Sequence, residues 1–128
     1  MWTPRTSRQI VLASLIAIGI GFAIAGVFYL RFSIRRSREV ELKKDLSLLR
    51  TSIDKFTFEN QAAPQALQDL ATKHYVIDVP SDPFTGKKDW LVSRDNTVLS
   101  PDQTVVGITD VHSASNRVGS DGSPYNQW

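Results

Sequence analysis

From Ile10 to Leu30 the chain reads IVLASLIAIGIGFAIAGVFYL, with no charge and no side chain more polar than Ser14 and Tyr29. At about 1.5 Å per helical residue this run reaches roughly 30 Å, the thickness of the bilayer hydrocarbon. A buried soluble helix is the competing reading. Apolarity on every face, over the whole length, favours a membrane span. A cleaved signal peptide is a third reading, with Arg5 and Arg8 as its basic region and Ala23-Ile24-Ala25 before Gly26 as its cleavage site. Against it, the run continues through Val27, Phe28, Tyr29 and Leu30. Cleavage at Gly26 would leave an apolar stub on the mature chain.

The next thirty residues, RFSIRRSREVELKKDLSLLRTSIDKFTFEN, contain neither Pro nor Gly. Leu42, Leu46, Leu49, Ile53 and Phe56 fall at alternating steps of four and three, which draws one apolar stripe on a helix. Glu39 with Lys43, and Glu41 with Lys44, stand at helical pair spacing. With no breaker between span and stripe, one helix is expected from about Ser7 to about Glu59. The stripe is too short for a sustained coiled coil, so it is expected to pack on the chain's own head.

Asn60-Gln61-Ala62-Ala63-Pro64 should end that helix, and Pro64 suits the first turn of a second one, PQALQDLATKH, with Leu67, Leu70 and Ala71 inward. Tyr75-Val76-Ile77 then leads to the turn-rich Pro80-Ser81-Asp82-Pro83-Phe84-Thr85-Gly86. Trp90–Ser93 and Thr104–Ile108 read as short antiparallel strands, punctuated by Asp95-Asn96 and Ser100-Pro101-Asp102. The fold class is α+β. Residues 1–9 form an N-terminal tail, 10–30 a transmembrane helix, 31–60 its amphipathic continuation, and 61–128 a head packed on 40–60.

Charge divides the chain. Residues 1–44 hold eight Lys/Arg against two Glu, and residues 45–128 hold seven against eleven acids. The basic balance therefore belongs to the stem beside the span, where cations meet lipid headgroups. Nucleic-acid binding would call for a basic, aromatic-studded head, and none is present. The chain has no cysteine, which excludes disulfides, thiolate catalysis and Cys-based zinc sites.

The enzyme reading rests on His112 beside Asp110, Ser113 and Ser115. A triad needs its base hydrogen-bonded to the nucleophile and oriented by the acid. Along a strand, Asp110 and His112 share a face while Ser113 points away, and no nucleophile elbow or phosphate loop is present. His112 is expected to hydrogen-bond the loop that follows, and His74 to close the second helix. A metal shared by the two histidines would require the fold to bring them together. In the turn-rich segment, Asp82 should cap a turn, Pro83 fix its φ and Gly86 supply a left-handed position. Phe84 and Trp90 are expected under the second helix, with Tyr125 and Trp128 covering the sheet.

Taken in order, RRSREVELKKDLSLLRTSIDKF, PQALQDLATKHYVIDVPSDPFTGKKDW and GITDVHSASNRVGSDGSPYNQW resemble the major, G-type pseudopilin of type II secretion systems and its type IV pilin-like relatives. The resemblance covers about residues 35–128. It implies a non-enzymatic subunit of a pseudopilus-like filament, anchored once in the bacterial inner membrane with its head in the periplasm. The implied partners are related pilin-type subunits meeting through the N-terminal helix, membrane lipid, and the secretion or pilus assembly machinery.

The N-terminus departs from the family. Thr6 stands where its cleavage-site Gly is expected, Val11 where its Glu is, and Phe28 where its helix-kinking Pro is often found. An atypical or non-polymerising subunit is therefore implied, with an uncut N-terminus. The alternative is a single-pass anchored binding module that has borrowed the head. Charge counting opposes export, because Arg31, Arg35, Arg36 and Arg38 outnumber Arg5 and Arg8. The resemblance outweighs it, since family members with the same basic stem export their heads.

Two sites follow. Ala13, Ala17, Gly21 and Ala25 form a small-residue stripe on which helices could approach closely in lipid, although such residues are common in spans. The family's C-terminal loop holds calcium, and here Asp110, Ser113, Ser115, Asn116 and Asp121 offer oxygen ligands, with Ser120 and carbonyls around Gly119 and Gly122. Only two of these are carboxylates, so low affinity is expected. The competing reading is that the same residues cap turns and the loop is a lid held by Tyr125 and Trp128.

Overall fold

The structure is a computed structural model that describes residues 4–100 and 103–128. One helix, α1, runs Pro4–Asn60 without interruption. The chain forms two compact units, one closing at Arg36 and the other spanning Ser37–Trp128. In the first, Ile10, Phe22, Phe28 and Leu30 are all exposed. Among the described residues, α1 is the one helix long and apolar enough to cross a membrane, and its most apolar window has a mean hydropathy of 2.6 with none of it buried.

In the second unit the stripe does what its spacing predicts. Leu42, Leu46, Leu49, Ile53 and Phe56 are all buried and form one side of the core. Each such side chain contributes about 1.5–3 kcal/mol on full burial. Leu70, Val76, Val79, Trp90, Ile108, Val111 and Tyr125 supply the other side. The helix ends where expected, with the Asn60 amide donating back to the Phe56 carbonyl at 2.8 Å and Gln61 in the left-handed region at φ 51°.

The second helix is shorter than its sequence suggests: α2 is only Gln68–Thr72. Pro64 does not open it, because the segment before α2 is bonded to the sheet. The Ile108 N–H donates to the Pro64 carbonyl at 2.9 Å. Gln65 Nε2 donates to the Val106 carbonyl at 2.8 Å, and Arg94 donates to the Gln65 carbonyl at 2.6 Å. The Asp69 carboxylate then gathers the Gln65 and Ala66 N–H groups, both at 2.9 Å, and starts the helix from inside its first turn. His74 follows α2 with φ 62°, as a helix-ending residue.

The sheet is one antiparallel hairpin, β1 (Leu91–Ser100) and β2 (Gln103–His112). It is longer than the two short strands expected. Asp95 and Asn96 lie inside β1, opposite Gly107 and Val106, instead of interrupting it. Pairing with a continuous partner overrides the local turn preference of these two residues. The register shifts fall instead between Ser93 and Arg94 and between Val98 and Ser100. Pro101 and Asp102, where the turn signal places the reversal, lie outside the described residues. Gly107 is required by close packing: a Cβ there would lie 2.5 Å from the Ala63 Cβ and 2.9 Å from the Pro64 carbonyl oxygen.

Candidate functional site

The closing segment, from Asp110 to Trp128, is held by three charged side chains reaching it from elsewhere in the Ser37–Trp128 unit. Glu39 is the first. It precedes Leu42 by one stripe step, so the helix aims its carboxylate at the core side, and it is only 5% exposed. The Ser120 N–H donates to Oε1 at 2.9 Å, the Ser120 hydroxyl to Oε2 at 2.5 Å, and the Tyr125 hydroxyl to Oε1 at 2.7 Å. Charge-assisted donors of this kind offset the cost of burying a carboxylate.

Asp82 is the second. It is fully buried. Its Oδ1 accepts the Phe84 N–H at 2.8 Å, and its carbonyl accepts the Gly86 N–H at 2.7 Å with Gly86 at φ 71°, so the expected turn is present. Its Oδ2 accepts the Ser113 hydroxyl at 2.5 Å and the Ala114 N–H at 3.1 Å, which fixes the exit from β2.

Arg50 is the third. Its Nε donates to Asp110 Oδ1 at 2.6 Å, and its Nη2 donates to the Val111 carbonyl at 2.9 Å and the Trp128 carbonyl at 2.7 Å. His112 joins the same cluster, with Nδ1 2.7 Å from the Trp128 carbonyl and Nε2 3.3 Å from Asp110 Oδ2. Burial pushes the Asp110 carboxyl up, but the Val111 N–H, the Arg50 guanidinium and the His112 ring together hold it below its ordinary value. Asp121 is held low by the N–H and hydroxyl of Ser123. Both Ser123 bonds reach its Oδ1, at 2.9 and 2.8 Å.

The aromatic residues complete the closure. Tyr125 stacks on Phe84 with centroids 3.9 Å apart and meets Trp128 edge-on at 4.9 Å. Phe84 therefore finds its ring partner in the closing segment, where the second helix was expected. Trp90 is buried in the shared core and donates its Nε1–H to the Pro80 carbonyl at 2.7 Å. Trp128 lies under Lys43 Nζ, 4.5 Å from the ring centroid, and its indole N–H donates to Ser123 at 2.7 Å. The two closing aromatics thus reach Phe84 and the α1 residues Glu39 and Lys43, and the Tyr125–Gln127 turn also lies against β2, as expected. A groove of about 490 Å³ lies between α1 and this segment, lined by Lys43, Ser47, Arg50, Asp121 and Trp128 among others.

The residues proposed from sequence as calcium ligands are dispersed over protein partners. Asp110 pairs with Arg50 and Ser113 with Asp82, while Ser115 accepts the Arg117 N–H at 3.4 Å and Asp121 binds Ser123. Asn116 is exposed. Among the described residues no group of three or more His, Asp or Glu side chains is arranged to hold a metal ion. Ser113 and His112 have separate partners, so the hydroxyl and the imidazole are not brought into one relay. Ala13, Ala17, Gly21 and Ala25 are exposed on α1.

Sequence reasoning read Glu39 as a helix-surface partner of Lys43 and Asp82 as a turn cap only, and it did not single out Arg50. A signal for Glu39 was present: a carboxylate in phase with the apolar stripe needs donors from another element. No family model, curated protein or solved structure matches the chain.

Proposed function

We propose that the protein is a non-enzymatic, membrane-anchored structural subunit of a pilin-like filament, with its head exported across the membrane. One observation carries the reading. A single helix supplies both an uncharged, wholly exposed apolar stretch and, through Leu42 to Phe56, one side of the head's core. The apolar stretch requires a cover of lipid or of like helices, because leaving it in water would cost about 25 cal/mol per Å². The charged and hydroxyl groups of the closing segment are spent on holding it shut, which fits a subunit whose task is to keep its shape. The absence of any acid before Glu39 makes it an atypical subunit, one that enters a filament core without a buried charge.

Because the chain lacks cysteine, it can be tested by introducing single ones. Phe22→Cys, oxidised in intact membranes, should give a disulfide-linked dimer, and a reporter fused after Trp128 should be active only outside the cytoplasm. A reporter active only in the cytoplasm would overturn the export reading. Absence of cross-linking from Phe22→Cys, Ile18→Cys and Ala25→Cys alike would instead favour an anchored binding module acting as a monomer.

A further inference from the structure

We propose that the outer edge of β1 pairs with the same edge of a second copy of this chain, joining two hairpins into one continuous sheet. The inference concerns the Ser37–Trp128 unit alone and does not rest on filament formation.

What β2 touches on its far side fixes the backbone directions of the hairpin. The Ile108 N–H donates to the Pro64 carbonyl, and the Val106 carbonyl accepts from Gln65. Both residues therefore turn their backbone groups away from β1. Their partners across the hairpin are Arg94 and Asn96. These are non-hydrogen-bonded pairs, so the N–H and C=O groups of Arg94 and Asn96 point away from β2. At the Ser93/Arg94 shift the extra residue is Thr109, on β2, so β1 itself alternates unbroken from Val92 to Val98. The backbone groups of Val92 and Val98 thus point outward as well. Among the described residues, β1 pairs with β2 alone, and no backbone group of another segment bonds to its outer edge. The Asn96 N–H is served locally by Asp95 Oδ1 at 2.7 Å, as an outward-facing donor would be.

This edge lacks the usual guards against pairing. Residues 91–96 are all exposed, and β1 contains neither Pro nor Lys. Its one cation, Arg94, is drawn to the Gln65 carbonyl, on the far side of β2. Two-stranded hairpins gain stability from added strands. The sequence selects a second copy over a foreign strand. Read outward from Asp95, it gives Arg94 and Asn96, then Ser93 and Thr97, then Val92 and Val98, a palindrome of chemical character. A two-fold axis through Asp95, normal to the sheet, sets valine opposite valine, hydroxyl opposite hydroxyl and guanidinium opposite amide. In that register the outward backbone groups also match, Arg94 bonding to Asn96 of the second copy and Val92 to its Val98. Centring on Arg94 would oppose two guanidinium groups, and centring on Asn96 would set Arg94 opposite Val98. The one mismatch lies on the axis, where two Asp95 carboxylates meet, and like charges directly opposite weaken a pair.

The test uses the full chain in neutral detergent, with single cysteines, mild oxidation and non-reducing gels. Across a non-hydrogen-bonded pair the Cα atoms lie about 4.5 Å apart, within disulfide range. Asp95→Cys should therefore link into a dimer several-fold more than Ser93→Cys, whose two copies would be offset by roughly 13 Å along the strands. Adding Asn96→Pro removes an outward N–H while sparing the β1–β2 bonds. It should abolish the link and leave the near-ultraviolet circular dichroism unchanged. In the cysteine-free chain, Asp95→Asn removes the facing charges and should raise the dimer fraction on analytical ultracentrifugation. An Asp95→Cys chain that stays monomeric, equal linking of Ser93→Cys, or a link that survives Asn96→Pro would each overturn the pairing. Should Asn96→Pro unfold the head, an unchanged or lowered dimer fraction in Asp95→Asn overturns it. Linking through Phe22→Cys without linking through Asp95→Cys would overturn this edge contact and leave the filament reading standing.

Discussion

Glu39 shows how a single buried carboxylate can tie two distant parts of a chain together. Three donors reach it from Ser120 and Tyr125, more than eighty residues further along the chain. Removing the carboxylate strands the buried Tyr125 hydroxyl and unties the exposed Ser120 from the helix, so Glu39→Ala should cost about 2–4 kcal/mol and Tyr125→Phe about 1–2 kcal/mol. Glu39→Gln should fall between, because its amide NH₂ meets donors. Urea unfolding of the detergent-solubilised chain, followed by near-ultraviolet circular dichroism, checks the order. A cost below about 0.5 kcal/mol for Glu39→Ala would show that the buried carboxylate contributes nothing net.

Asp45 is the opposite case. Burial, then the neighbouring Glu41 and Asp82 charges, raise its carboxyl above the ordinary value against the pull of Lys44. A raised carboxyl binds its proton more tightly in the folded state, so its charge opposes folding at neutral pH. That penalty disappears as pH falls below the unfolded value, near 4. Asp45→Asn should therefore raise the melting temperature at pH 7 by roughly 1–2 °C, with the gain gone at about pH 3. A gain that persists undiminished at acid pH would point to another cause.

At the scale of elements, the junction between the α1–α2 connection and the hairpin decides the head's architecture. Pro64 and Gln65 bond to β2 and Arg94 of β1 bonds back, so the connection behaves as a third edge segment. Gly107 makes that approach possible. Gly107→Ala would force a Cβ against Ala63 and the Pro64 carbonyl, costing about 1–3 kcal/mol. Adding Ala63→Gly should recover part of the loss, because it removes the nearer of the two contacts. If Gly107→Ala proves neutral, the connection is able to move away from the hairpin without cost.

For the whole molecule, the exposed apolar stretch of α1 dominates behaviour in the cell. A lysine at its centre carries an insertion cost of about 2.5–3.5 kcal/mol, so Ile18→Lys should shift much of the chain out of the carbonate-resistant membrane fraction. Full retention of that variant would mean that the chain is held in the membrane fraction by something other than this span. The Asp45→Asn and Gly107→Ala variants should partition like the wild type, since both changes lie in the Ser37–Trp128 unit.

Several features were legible in the sequence because they are local or periodic. An uncharged run of sufficient length, the lack of any breaker up to Asn60, and the stripe from Leu42 to Phe56 each follow from neighbours within a few turns of helix. The Asp82 turn and its left-handed Gly86 are local in the same sense. What tertiary structure alone decided involves partners far apart in the chain. Glu39 and Ser120 are 81 residues apart, and Asp82 and Ser113 are 31 apart. Whether a carboxylate is a solvated helix charge or a buried clamp depends on which donors the fold delivers to it. The same holds for the short α2 and the uninterrupted β1: Pro64, Asp95 and Asn96 each carry a clear local preference. That preference is worth less than the backbone hydrogen bonds the sheet supplies once its partner is in place.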